Sequence, residues 1–593
     1  MRHRYTLSLT LRGPVMATGL DAPEYGIDAP FLRDHENRLC LPGSQLRGVL
    51  RHTIAAMVES GCNSLPDTAE ADWFGRASGQ VDTDAFERND AAVWEPRKRR
   101  VHVSDLYPPV EPETRFDRLT RVRIDGATGA VAEGALQVLE CPIGVNERVP
   151  FSGTIVIEAP SAEEAESIAI WLRRALALVP AIGAHKTAGF GHVEAATLEA
   201  APKPAPAAPD STTKPSVKTK VDGWAAASLV LTFDGPFLVS ADRWNGNSFR
   251  GTEDVSGAVL KAALAPALTE AGVDPETLSR AIFQEARPAR PEAKRPTVAP
   301  LSLYWAETLG SLEDALEIPP ESLGDLISFH TDWKEGSAAQ AALSARTGRT
   351  FEALRSIRTR TRIGKQGTVE PGHLFTYAAV NPLDHVWKGR ILPGDLATEA
   401  FATLLNALPD RLTGIGKTRV SASLALEETE IPKPVEAEKE GATLRVRVVL
   451  QTPALLHGPQ CLATFSEIAD PAERLRHQYE AYFSHALSQR SEGTAPDAPT
   501  PLRLVAHASQ RRVGGYLAGR YRQRERGYQP WILTNPGSVF EFTLDRTRTL
   551  ALNSFAGRGL PPPKAEIPLS DWRINPFVPQ NGFGEVLVEP GLS

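Results

Sequence analysis

The sequence predicts an α+β protein built from tandem ferredoxin-like (RRM-like) modules with insertions. Three observations lead there. Alternating apolar strands open three successive pieces, Tyr5 to Leu11, Ser228 to Phe233 and Leu444 to Leu450; such alternation marks half-buried antiparallel strands. Helical periods follow, at 45–58 and at 162–179 in the first piece. Weak internal repetition completes the pattern. Residues 121–153 and 360–389 share Arg-x-Arg-Ile, a Gly-centred turn and an apolar or aromatic strand end. Gly-rich stretches close each piece at Ile182 to Val193, Gly414 to Val420 and Asn581 to Val586. Strand, helix, strands, helix, strand is the ferredoxin-like order.

In chain order, 1–197 form the first module, with a helix at 162–179 whose acidic first turn and later Arg173 and Arg174 suit the helix dipole. The Pro-, Ala- and Lys-rich stretch 198–224 has no apolar period and is expected to be a flexible linker. A second module covers 225–432, and a third covers 443–593 after a break at 429–442. Smaller insertions are expected at 286–298 and 491–501. The length of 593 residues is compatible with three or four domains at roughly 150 residues each. No apolar run is long enough for a membrane helix, and Met1 to Leu11 reads as a first strand rather than a signal peptide. Cys40, Cys62, Cys141 and Cys461 form no CxxC pair, which speaks against ordinary zinc spacing and fits a reducing cytoplasm. The net charge of −7 argues against an all-over basic coat and leaves room for local basic tracks.

The most informative segment is 25–51, YGIDAPFLRDHENRLCLPGSQLRGVLR. Pro42-Gly43-Ser44 ends a strand and starts a helix, with Ser44 as the expected N-cap and Arg47 and Arg51 four apart on one face. Free N–H groups at a helix start together with arginines suit a phosphate. A capped surface helix with two solvated arginines accounts for the spacing equally well.

LPGSQLRGVLR resembles the (I/L)PGSSL(K/R)GxLR signature of RAMP superfamily proteins. GIDAPFLRD resembles the preceding loop of backbone subunits of type III CRISPR effector complexes. Trp73 to Gly75, Val103 to Asp105, Arg123 to Gly129 and Gly183 to Gly191 continue the likeness in order, over nearly all of 1–195. The resemblance implies a cytoplasmic ribonucleoprotein subunit that binds guide RNA (crRNA) and works with other type III effector subunits on target RNA, with no membrane partner. It makes Asp28 the residue needed to cut target RNA, and places His185 and Lys186 against RNA. RNA supplies its own 2′-OH nucleophile. Asp28 can accept a proton or hold a divalent metal, Mg2+ or similar, weakly, because a single carboxylate leaves most of the ion's waters in place. Asp21, Glu24, Asp34 and His35 are near enough in sequence to assist. A non-catalytic RNA-binding subunit, with Asp28 only a turn residue, and a guide-processing endoribonuclease remain alternatives.

The second piece lacks the Gly-Ile-Asp loop, and Arg250 to Asp254 stands where Pro-Gly-Ser is expected. Glu253 and Asp254 suit an N-cap and repel phosphate; Asp242 is a second, less favoured cleavage candidate. The third piece resembles the C-terminal half of the large RAMP protein of subtype III-D, through Val513-Gly-Gly and Gly537-Ser-Val-Phe540. Arg511, Arg512, Tyr516, Arg520 and Arg522, with Arg524, Arg526 and Tyr528, interleave charge and aromatic rings as single-strand binders do. Arg346 to Arg362, which includes Arg360 and Arg362, is a second basic run, and Arg97 to Arg100 a third. Gly414-Ile-Gly-Lys-Thr lacks the first half of a P-loop and is not a nucleotide site.

Overall fold

The structure, a computed structural model, describes residues 2–19, 26–34, 36–75, 99–109, 117–201, 221, 223–239, 242–245, 247–317, 322, 337–350, 354–363, 369–431, 443–458, 464–489, 504–521, 530–545, 548–563 and 570–590. Most of the expected linker and of the 429–442 break therefore lies outside the described residues, as does the whole 491–501 stretch. The chain is mixed α/β, with several small antiparallel sheets in two compact units.

The first part contains β1 (Arg2–Arg12), α1 (Gly43–Glu59), α2 (Ala69–Phe74), β2 (Val101–Val103), β3 (Asp117–Arg121), β4 (Gln137–Cys141), β5 (Arg148–Glu158), α3 (Ala162–Ala177) and β6 (His192–Ala200). Its main sheet has the order β2-β5-β1-β6, and β3 and β4 form a separate hairpin. With α1 after β1 and α3 after β5, this arrangement is compatible with a ferredoxin-like fold. Tyr5, Leu7, Leu9 and Leu11 alternate inward from β1. They share one core with Leu46, Leu50, Ile54 and Met57 of α1 and with Ile168, Leu172 and Leu176 of α3. The spacings are those of one strand face and two helix stripes. Ser161 caps α3 by accepting the Glu164 N–H.

Next come β7 (Ala226–Phe233), β8 (Asp242–Asn245), β9 (Ser248–Arg250), α4 (Gly257–Glu270), α5 (Pro275–Arg280), β10 (Ile282–Ala289), β11 (Leu303–Ala306), β12 (Ser311–Asp314), α6 (Ala338–Thr347), β13 (Arg355–Ile363), β14 (Val369–Val380), β15 (Val386–Leu392), α7 (Thr398–Asn406), β16 (Arg411–Ile415) and β17 (Val420–Thr429). One sheet has the order β10-β15-β7-β17-β16, and a second the order β13-β14-β9-β8. The chain closes with β18 (Thr443–Leu450), α8 (Pro471–Gln489), β19 (Leu504–His507), β20 (Gln510–Val513), α9 (Gly515–Tyr521), β21 (Trp531–Thr534), β22 (Val539–Asp545), α10 (Thr549–Arg558) and β23 (Val586–Pro590), with the sheet β19-β22-β18-β23.

Unit 1 comprises 1–218 together with 243–249 and 356–378, so most of β8, β9, β13 and β14 belongs to the unit that holds the first sheet. Unit 2 holds the remainder. The 121–153 and 360–389 repeat has a structural counterpart. In each, a long hairpin (β3–β4, β13–β14) leads into a sheet strand (β5, β15).

One expectation fails clearly. The stretch 286–298 is not an insertion: its start belongs to β10, and Arg287 is 0% exposed. The Arg/Pro composition reads as surface, but the guanidiniums find acceptors inside unit 2. Arg287 donates to Gln451 O at 2.5 Å and Pro296 O at 3.0 Å, and Arg295 makes two bonds to Glu585 at 2.6 and 2.8 Å. Buried charges persist only when paired in this way.

Candidate functional site

Asp28 lies beside the two-stranded β3–β4 hairpin, on a segment bridged to β4 at Ala29 and Leu139. In the β3–β4 hairpin, Thr120 pairs with Val138 and Arg121 with Gln137. The Asp28 segment runs along the other edge of β4. Asp28 N–H donates to Val138 O at 2.9 Å, and Glu140 N–H donates to Ala29 O at 3.0 Å. Val138 N–H donates to Asp28 Oδ2 at 2.7 Å, so the carboxylate is oriented while staying exposed. Glu140 itself is 1% exposed. Its Oε2 accepts the Phe31 N–H at 2.7 Å and Arg33 Nη1 at 3.0 Å, and its Oε1 accepts Arg33 Nη2 at 2.5 Å. The sequence signal for Glu140 was available: a lone acid between apolar Leu139 and Cys141 in a strand.

Arg121, the last residue of β3, donates from Nη1 to His185 Nδ1 at 2.5 Å. Arginine has no acceptor, so Nδ1 accepts and the ring proton sits on Nε2. Burial, reinforced by the Arg121 guanidinium, pushes the His185 pKa down. A neutral imidazole then offers one N–H, and the exposed Lys186 beside it supplies charge. Two strand spacings separate Asp28 from Arg121, about 10 Å. Asp28, Arg121, His185 and Lys186 are thus arranged around one hairpin. Arg121 did not stand out in the sequence, because its value comes from register.

Ser44 is not the N-cap. Helix α1 begins at Gly43, with Pro42 as the capping residue and no side-chain cap on it. The first N–H, on Gly43, donates instead to Asp105 Oδ1 at 2.9 Å. Asp105 Oδ2 accepts Arg358 Nη1 at 2.7 Å. A carboxylate from beyond β2 therefore takes the first of the N–H groups at this helix start. A Cβ on Gly43 would lie 2.0 Å from Ser104 O, so the backbone approach itself requires glycine here. Arg47 is half-buried on α1, and Arg51 Nε pairs with Glu70 Oε1 at 2.5 Å.

The same geometry recurs in unit 2 and corrects the reading of Arg250 to Asp254. Leu41 and Leu106 exchange two backbone bonds just before α1; Val255 and Ala286 do so just before α4. Helix α4 then starts at Gly257, where a Cβ would lie 1.8 Å from Phe283 O and 2.8 Å from Asn581 O. The counterpart of Pro42-Gly43 is Ser256-Gly257. Glu253 and Asp254 precede the cap and pair with Arg349 at 3.0 and 3.2 Å. The Gly-rich end at Asn581 covers the start of α4, so those two features face each other.

The remaining candidates are on other elements or lie outside the described residues. Arg355 bonds to Gly251 O at 2.6 Å, and Arg360 lies over the Tyr377 ring at 5.2 Å, with Tyr377 stacked on Phe249. Much of the 346–362 run is therefore engaged within the protein. Arg511 and Arg512 are exposed on β20. Tyr516 and Arg520 lie on α9, Arg362 on β13 and Asp242 on β8, but their side chains are outside the described set. Arg522, Arg524, Arg526, Tyr528, Arg97, Asp21, Glu24 and His35 lie outside it altogether. Asp34 is taken up by Arg38 at 2.7 Å. Among the described residues no group of three or more His, Cys, Asp or Glu side chains could hold a metal. Asp28 thus offers an ion one carboxylate, which fits only weak binding with most waters retained. No described helix is long and apolar enough to cross a membrane.

A comparison of the chain with curated proteins gave no match. A family comparison did: residues 8–194, which carry the Asp28 loop, the Gly43 helix start, the β3–β4 hairpin and the Gly183–Gly191 loop, match the RAMP superfamily.

Proposed function

We propose that the chain is a guide-RNA-binding subunit of a cytoplasmic type III CRISPR ribonucleoprotein, and that it cuts target RNA at one place through Asp28. The RAMP superfamily match supports a CRISPR-associated RNA-binding role. The observation that carries the cleavage reading is the placement of Asp28, exposed yet held by Val138. In this reading the three main sheets are tandem modules: a backbone-type domain followed by a region like the subtype III-D large RAMP protein. Guide RNA, target RNA and other effector subunits are its partners.

The chemistry asks for alignment. The ribose 2′-OH loses its proton to Asp28, its oxygen bonds to the adjacent phosphorus, and the P–O5′ bond breaks as the leaving 5′ oxygen takes a proton from water. The products are a 2′,3′-cyclic phosphate and a 5′-OH. Arg121, Lys186 and the His185 N–H oppose the charge on the phosphate. A weakly held Mg2+ or similar ion at Asp28 supplies further positive charge when bound. Replacing Asp28 with Ala removes one cut and leaves assembly intact; persistence of every cut in that variant removes the catalytic role. The second reading, a non-catalytic RNA-binding subunit, draws on the same Val138 bond, since an Asp held by a backbone N–H also serves as a plain turn residue.

A further inference from the structure

We propose that Glu140 is the positioning residue that sets where Asp28 stands. This rests on Asp28 being the cleavage residue, as proposed above. Strand β4 touches the 28–33 segment at alternate residues. Val138 takes Asp28 through its backbone, and two residues on, Glu140 takes Phe31 and Arg33 through its carboxylate. The segment is thus pinned at both ends against one strand, and a strand is a stiffer support than a loop. Glu140 is buried and charged, a costly choice unless the pairing sets a geometry. Removing it leaves the Phe31 N–H without its acceptor and the Arg33 guanidinium with only the long bond to Phe31 O at 3.4 Å, and the segment must shift to find others. Asp28, three residues before Phe31, shifts with it.

The test uses the full chain assembled with its guide RNA and partner subunits, and a labelled complementary target RNA under single-turnover conditions. Asp28→Ala, Glu140→Ala, Arg33→Leu and Arg33→Lys are compared, with hydrogen exchange measured over 26–34. In Glu140→Ala and Arg33→Leu the Asp28-dependent cut slows by about 10–100-fold, the scale of a small misplacement at a reacting centre. Target affinity stays within about threefold, which separates positioning from binding. Exchange over 26–34 rises, and Arg33→Lys recovers part of the rate. The proposal is overturned if Asp28→Ala abolishes the cut while both Glu140→Ala and Arg33→Leu cut at the wild-type rate. Should Glu140→Ala fail to fold, Arg33→Leu decides alone. A cut that survives Asp28→Ala removes the cleavage reading itself, and the positioning role with it.

Discussion

Asp105 joins two elements far apart in sequence, and its removal has a consequence that can be worked out in advance. Asp105→Ala deletes the acceptor for the Gly43 N–H at 2.9 Å and for Arg358 Nη1 at 2.7 Å. Loss of a helix cap costs about 0.5–2 kcal/mol. Loss of a charge-assisted hydrogen bond costs about 1.5–3 kcal/mol in a shielded setting. Both side chains here are about a quarter exposed, so solvent screening takes the ion-pair share towards its lower end. The expected total is about 2–4 kcal/mol. For a unit of this size that lowers its Tm by about 5–15 °C. Asp105→Asn keeps an acceptor for Gly43 and loses the charge, so it costs about half as much. A double-mutant cycle with Arg358→Leu, followed by urea unfolding, isolates the pair and should give a coupling of about 1–2 kcal/mol. A coupling below about 0.5 kcal/mol refutes the claim that Arg358 holds the Asp105 cap in place.

Other consequences follow from the buried charges and exposed arginines. Burial, reinforced by Asp254, pushes the Glu285 carboxyl up to about 7, whereas Arg295 and Arg287 overcome burial to hold Glu585 down at about 2. A raised folded pKa gives stability below the ordinary carboxyl range that is lost as pH rises through about 7, by about 3 kcal/mol at most. Denaturation at pH 5 and at pH 7.5 should show this loss in the wild type and a smaller one in Glu285→Gln; equal losses contradict it. Replacing Arg511 and Arg512 with Gln should lower the log–log salt slope of RNA binding by about 0.7–0.9 for each phosphate these arginines neutralise; an unchanged slope removes them from the interface. The His185 pKa, read by NMR on labelled histidine, should sit below the ordinary value and rise in Arg121→Leu. Burial, the larger cause, keeps part of the depression in that variant; no rise at all means the 2.5 Å hydrogen bond does not form in solution.

Elements were legible in the sequence where local pattern decides the structure. The alternation of Tyr5 to Leu11 and the helical periods at 45–58 and 162–179 depend on neighbours one to four residues away, and they appear as β1, α1 and α3. The Gly-rich turn before β6 was visible for the same reason. What stayed hidden came from long-range partners. Ser44 has the chemistry of an N-cap, but Asp105, brought in 62 residues away, takes the first N–H. Arg287 and Arg295 look like surface residues until Gln451 and Glu585 are placed beside them. Glu253 and Asp254 sit three and two residues before the cap at Ser256, because the Phe283 backbone requires a glycine at 257. At the candidate site, Asp28 was found by resemblance alone. Val138 and Arg121 emerge only from the register of a hairpin whose strands the sequence left unassigned, whereas Glu140 left a signal as a lone acid between Leu139 and Cys141.

The most direct measurement maps, at nucleotide resolution, the target-RNA cuts made by the assembled complex with wild-type chain and with Asp28→Asn. Asn retains an oxygen for the Val138 N–H and so leaves the loop in place, while removing the carboxylate's negative charge and basicity. The account expects one cut to disappear, with guide binding, assembly and any other cuts unchanged. An unaltered cleavage pattern in Asp28→Asn contradicts it.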